Sequence, residues 1–139
     1  MIYGIFGEPC VGKSELATAL KKKIGGKIVS NRAYLHYAAR EEEAERIFKE
    51  MLDKESGNVF FIISEPYELY FLPRRAIRVK LTATIETIEK RYAEKMYGHL
   101  PEDVKTALED RHGTFDFLSS DFTFTQEDDL ETKVHKILE

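Results

Sequence analysis

The sequence has one cysteine and no tryptophan in 139 residues. A single thiol cannot close an internal disulfide, so nothing marks a secreted, cross-linked scaffold. Long apolar runs are missing too. The first, Met1 to Phe6, meets Gly7 and then Pro9, which leaves no room for a membrane span or a signal-peptide core. The expectation is a soluble cytoplasmic protein with no membrane partner. There is no excess of basic residues: 21 Lys and Arg stand against 25 Asp and Glu, for a formal net charge of −4. That balance argues against a broad basic face for nucleic acid. His36, His99, His112 and His135 show no metal-ligand spacing among themselves or with Cys10, so no structural metal is expected. No repeat, low-complexity tract or linker interrupts the chain, and residues 1–139 suit one domain able to bury about two-thirds of its unfolded surface.

What is present is concentrated near the start. Gly7-Glu8-Pro9-Cys10-Val11-Gly12-Lys13-Ser14 matches G-x-x-x-x-G-K-[ST], the phosphate-cradling loop. Gly7 and Gly12 permit backbone conformations and close approaches that a Cβ would block. The amides of Pro9-Cys10-Val11-Gly12 and of the residues after them, through Glu15, are then placed to face a phosphate, aided by the positive end of the following helix. Proline, which has no N–H, contributes only its position in the turn. Lys13 is expected to reach the β- and γ-phosphates of ATP, and the Ser14 hydroxyl to ligate Mg²⁺. The flanks suit the motif: a short apolar strand precedes it, and Leu16, Leu20 and Ile24 follow at helical spacing. Cys10 lies near a helix N-terminus and Lys13, both able to lower a thiol's pKa, but reads as a neutral variable position.

Along the rest of the chain, Lys27 to Ser30 reads as a short strand with Asn31 and Arg32 just past its end, on the loop's rim of a parallel sheet. Arg40 to Glu55 is an amphipathic helix with an apolar stripe of Ala44, Ile47, Phe48, Met51 and Leu52. Val59 to Ile63 reads as a strand buried on both faces. It ends at Ser64-Glu65, and Glu65 is a candidate general base or, through water, a magnesium orienter. Tyr67 to Leu72 is a short helix or a covering loop. Ala76 to Thr82 alternates as a strand despite Arg78 and Lys80. Thr84 to Met96 is a helix carrying Lys90, Arg91 and Lys95. Pro101 is placed at the first position of another helix, which closes at Arg111-His112-Gly113. Asp121 to Phe124 is the last strand, and Thr125-x-x-Asp128 resembles a capping box before the final helix. This alternation implies an α/β sandwich with a largely parallel sheet.

The loop, the small size and the late segments resemble the nucleoside monophosphate kinase and shikimate kinase group of P-loop kinases. Val79 to Arg91 is similar to that group's fourth strand and the helix leading to its lid. Leu100 to Val104 and Phe115-Asp116-Phe117 are similar to the lid-to-last-strand passage of guanylate kinases. The resemblance implies a three-layer α/β/α sandwich, a five-stranded parallel sheet of order 2-3-1-4-5 and a short lid. It also implies that Arg91, with Lys95 or Arg111, closes over the transferring phosphoryl group. The acceptor site is then expected between Asn31-Arg32 and Glu65. The chain departs from the group where many relatives carry an aspartate, reading Ser30-Asn31 and Ser64-Glu65 instead.

Three activities are compatible with this pattern. The leading one is an ATP-dependent kinase of a nucleotide-like or other small acceptor. The missing aspartates motivate a second, a nucleotide-binding regulatory module or ATPase with little transfer. A kinase of nucleic-acid ends is disfavoured by the acidic balance. The oligomeric state and the acceptor are not given by the sequence.

Overall fold

The computed structural model describes residues 1–30 and 33–139. Five strands form one sheet: β1 (Ile2–Phe6), β2 (Lys27–Val29), β3 (Val59–Ile63), β4 (Ile77–Leu81) and β5 (Phe122–Phe124). Their order is β2-β3-β1-β4-β5 and every pairing is parallel. Parallel neighbours need crossovers, and the helices α1 (Lys13–Ile24), α2 (Glu41–Lys54), α3 (Ile85–Lys95), α4 (Glu102–Arg111) and α5 (Leu130–Leu138) lie within the connections or follow the last strand.

The two faces of the sheet divide the apolar residues by strand parity. Tyr3 and Ile5 of β1, Phe60 and Ile62 of β3, and Val79 and Leu81 of β4 pack against α1, α3, α4 and α5. Ile2 and Phe6 of β1, with Val59, Phe61 and Ile63 of β3, face α2 through Ala44, Phe48 and Leu52. Two 3₁₀ turns, Ala33–His36 and Pro66–Phe71, add Tyr34 and Phe71 to that second core. All five residues of β1 and all five of β3 are buried, as their continuous apolar runs predict.

The polar positions of β4 find partners across the sheet edge. The Lys80 ammonium donates to the carbonyls of Leu118 at 2.9 Å and Asp116 at 3.3 Å, and the Arg78 amide donates to Asp121. Thr84 caps α3 by accepting from the Thr87 amide at 3.2 Å.

Two helix starts differ from the sequence expectation. Pro101 is the cap residue of α4 and Glu102 its first helical residue. The Thr125–Asp128 pair does not open α5. Asp128 accepts from the Thr125 amide at 2.9 Å, the back-bond of a capping box, but that turn precedes the helix, and Asp129 caps α5 by accepting from Thr132 at 2.7 Å. Among the described residues no helix is long and apolar enough to cross a membrane.

Candidate functional site

The loop between β1 and α1 leaves the C-terminal edge of a central strand, where ligands of open α/β sheets bind. Its shape follows from two positive-φ residues. Gly12 stands in the left-handed region at φ 97° and ψ 22°, and Cys10 at φ 64°. A non-glycine residue there costs on the order of 1–2 kcal/mol. At Cys10 that conformation coincides with a carbonyl that accepts from the Arg91 guanidinium at 3.0 Å. A Cβ on Gly7 would collide with the Leu81 carbonyl oxygen and stand 2.8 Å from a Val11 methyl, so only glycine lets the loop pass under β4.

Among the described residues no protein group accepts from the backbone N–H groups of Cys10, Val11, Gly12, Lys13 or Ser14. A run of free donors at a helix start is a ready anion cradle. Lys13 is buried, and its ammonium is folded onto the carbonyls of Gly7 at 2.5 Å and Glu8 at 3.1 Å. Burial lowers the Lys13 pKa to about 8. Lys95 pushes it the same way, against the opposing pull of Cys10, Glu68 and Glu8. A displacement of that size is worth roughly 3 kcal/mol, which an incoming anion can recover.

The loop opens into a cleft of about 1050 Å³ whose walls come from the loop and from α3, with Leu130 and Lys133 from α5. Pro9 to Glu15 all line it, and Arg91 and Lys95 enter from α3. Ser14 and Glu15 stand exposed at its mouth.

Arg111 and Glu65 are brought together elsewhere. The Arg111 guanidinium donates to the Glu65 carboxylate at 2.7 Å, joining the end of α4 to the end of β3. Next to Glu65, the buried Glu68 carboxylate accepts from the amides of Ser64 at 3.2 Å and Glu65 at 3.0 Å. Asn31 and Arg32 lie outside the described residues. Tyr34, two residues further on, meets Tyr67 hydroxyl to hydroxyl at 2.9 Å, which links the turns after β2 and β3.

Two residues not singled out by sequence reasoning belong to this region. The Glu8 carboxylate, nearly buried, meets His112 Nδ1 at 2.9 Å and accepts from the Gly113 amide at 3.2 Å. An acid inside an otherwise small and apolar loop was the available signal. Lys133 of α5 reaches to within 4.0 Å of the point where a Gly12 Cβ would stand. Its signal was a cation in the first turn of a helix, where the dipole favours acids.

No family model matches the chain, and no curated protein matches it. Solved structures do. The shikimate kinase of Acinetobacter baumannii, in complex with shikimate, superposes with a TM-score of 0.69 at 16% identity, over 99% of this chain and 90% of that one. The chain has the shikimate-kinase fold. The shikimate kinase of Bacteroides thetaiotaomicron gives a TM-score of 0.69 at 14% identity over 99% and 95% of the two chains. An unliganded sugar kinase from Janibacter sp. HTCC2649 gives 0.69 at 15% identity over 99% and 91%. At these identities the likeness is one of architecture, and the five-stranded 2-3-1-4-5 sheet expected from the sequence is what is shared.

Proposed function

We propose that the chain is an ATP-dependent kinase that transfers the γ-phosphoryl group to a small-molecule acceptor. The observation that carries this reading is the loop itself: five successive amides with no partner among the described residues, around a buried lysine whose ammonium rests on the loop's own carbonyls. Free donors and a desolvated cation form a site whose strongest complement is a polyphosphate. The shikimate-kinase fold, shared with proteins named as shikimate and sugar kinases, supports the small-molecule acceptor.

In this reading the loop amides hold the nucleotide phosphates, and Lys13 leaves the Gly7 and Glu8 carbonyls for the β- and γ-phosphates. The acceptor oxygen forms a bond to the γ-phosphorus as the bond to the β–γ bridging oxygen breaks. ADP leaves, and the acceptor proton passes to a base. Glu65, released from Arg111, is the candidate base at the acceptor side, and Arg91 stands on the loop side to neutralise developing charge. Arg111 then shifts from Glu65 to the acceptor, with Asn31 and Arg32 assigned to the same subsite.

The donor set fits magnesium carried in with the nucleotide. Among the described residues no cluster of acids, histidines or cysteines forms a metal cage, and the exposed Ser14 hydroxyl is the side chain that would hold the ion. Mg²⁺ held there would supply charge neutralisation for the transferring phosphoryl group. The test is ADP release with nucleoside monophosphates, nucleosides, sugars and shikimate-like acids offered in turn. One acceptor class should raise ADP release well above the acceptor-free rate. Equal release with every class would reject the reading.

A further inference from the structure

Among the cations that line the cleft beside the loop, Arg91, Lys95 and Lys133 have no carboxylate partner among the described residues, and Arg91 and Lys133 flank the loop itself. Among the described residues neither Arg91 nor Lys133 makes an ion pair. Both line the same cleft, Arg91 anchored on the Cys10 carbonyl and Lys133 beside Gly12. Lys133 is half-buried, so water does not fully screen the repulsion between them. Burial lowers the Lys133 pKa, and the Arg91 charge adds to that. Asp128, Glu15 and Asp129 oppose it without reaching contact distance.

Two like charges held over a run of free amides have an anion as their natural complement. The loop's two cations also sit at opposite ends of it. Lys13 rests on the strand side, against Gly7 and Glu8. Lys133 stands on the helix side, near Gly12 and the Glu15 carboxylate. In phosphate loops the lysine of the motif serves the β- and γ-phosphates, and the amides cradle the α and β. The helix side is therefore left for the nucleoside end of the chain.

We propose that Lys133, carried to the loop by α5, is a nucleotide-binding residue that holds the α-phosphate end of ATP while Lys13 holds the transferring end. This inference rests on the kinase reading above. It makes the last helix part of the nucleotide site and gives the two lysines separable roles.

The test is equilibrium binding of Mg·ATP, Mg·ADP and AMP to the full chain and to Lys133→Met, Lys133→Arg and Lys13→Met. Lys133→Met should weaken ATP, ADP and AMP by the same factor, about tenfold, as expected for a lost charged hydrogen bond. The ratio of ATP to ADP affinity then stays as in the wild type, and Lys133→Arg restores most of the loss. Lys13→Met should instead cut that ratio and spare AMP. A purely structural Lys133 would lower the melting temperature of Lys133→Met and leave affinities alone. Wild-type-like ADP and AMP affinity in Lys133→Met overturns the inference, and so does a selective loss of ATP. If Lys13→Met loses ATP in that same experiment, the kinase reading still stands. If the wild-type chain binds no nucleotide, both fall.

Discussion

The loop and the region beyond β3 handle charge in contrasting ways. At the loop, Lys13 rests on the Gly7 and Glu8 carbonyls and Arg91 on that of Cys10, while Lys133 lines the same cleft with no ion pair among the described residues. Beyond β3 opposite charges are matched, Arg111 with Glu65. Unbalanced charge in a partly buried place is unfavourable alone and becomes favourable when a ligand of opposite sign arrives. On the kinase proposal the loop receives a polyanion, and an acceptor has to compete with the Arg111–Glu65 pair. The segment 111–113 ties the two together, since Arg111 reaches β3 and the next two residues hold Glu8 of the loop.

The largest effect should come from removing the cation at the loop. Lys13→Met is expected to lower ADP formation on the order of a thousandfold. Its melting temperature should not fall, because a buried charge is removed along with its desolvation cost. Steady-state kinetics and thermal denaturation of the same preparation check both halves, and a loss of stability would make the contrast between the two ends less sharp.

Gly7→Ala comes next. Its Cβ would strike the Leu81 carbonyl, and the resulting shift of loop against β4 should cost about 1–3 kcal/mol of stability with a clear loss of nucleotide affinity. Urea denaturation reads the first and calorimetric titration the second.

Proton linkage at Lys13 gives a third effect. With a free pKa of about 8, Lys13 is protonated below that pH and increasingly neutral above it. A bound polyphosphate favours the charged form, so binding takes up a proton as pH rises past 8 and affinity falls by up to about tenfold per pH unit. Titration calorimetry at pH 8.5 in two buffers of different ionisation enthalpy measures the uptake directly. The same depressed pKa makes the unfolded chain the better proton binder between about 8 and 10.5. This group therefore adds stability as pH rises through that window and withdraws it as pH falls to 8.

The smallest effect is expected where charges are already matched. A double-mutant cycle on Glu65→Gln and Arg111→Met should give a coupling of about 0.5–1 kcal/mol in stability, since both side chains are half-exposed. The KM for the acceptor should move while that for ATP does not. A shift in the KM for ATP alone would contradict their assignment to the acceptor side.

What could be read from the sequence was mostly local. The strand–loop–helix context of Gly7 to Ser14 and the alternating β4 depend on near neighbours, and the sheet order followed from the family likeness they supported. Capping was less legible where adjacent acids compete. Asp128 is taken by the Thr125 amide, which leaves Asp129 to start α5. Long-range pairings were not legible at all. Glu8 and His112 lie 104 positions apart, and nothing near either residue specifies the other. Glu65 and Arg111 were each recognised as chemistry-bearing residues, but only the folded chain joins them at 2.7 Å. Lys133 was hidden for the same reason, since its relevance depends on where α5 packs.

The most direct measurement follows the γ-phosphoryl group. ATP labelled at the γ-phosphate should pass its label to a small-molecule acceptor, with one ADP formed per transfer and no transfer by Lys13→Met. Label appearing only as inorganic phosphate, at a rate indifferent to every acceptor offered, would contradict the account.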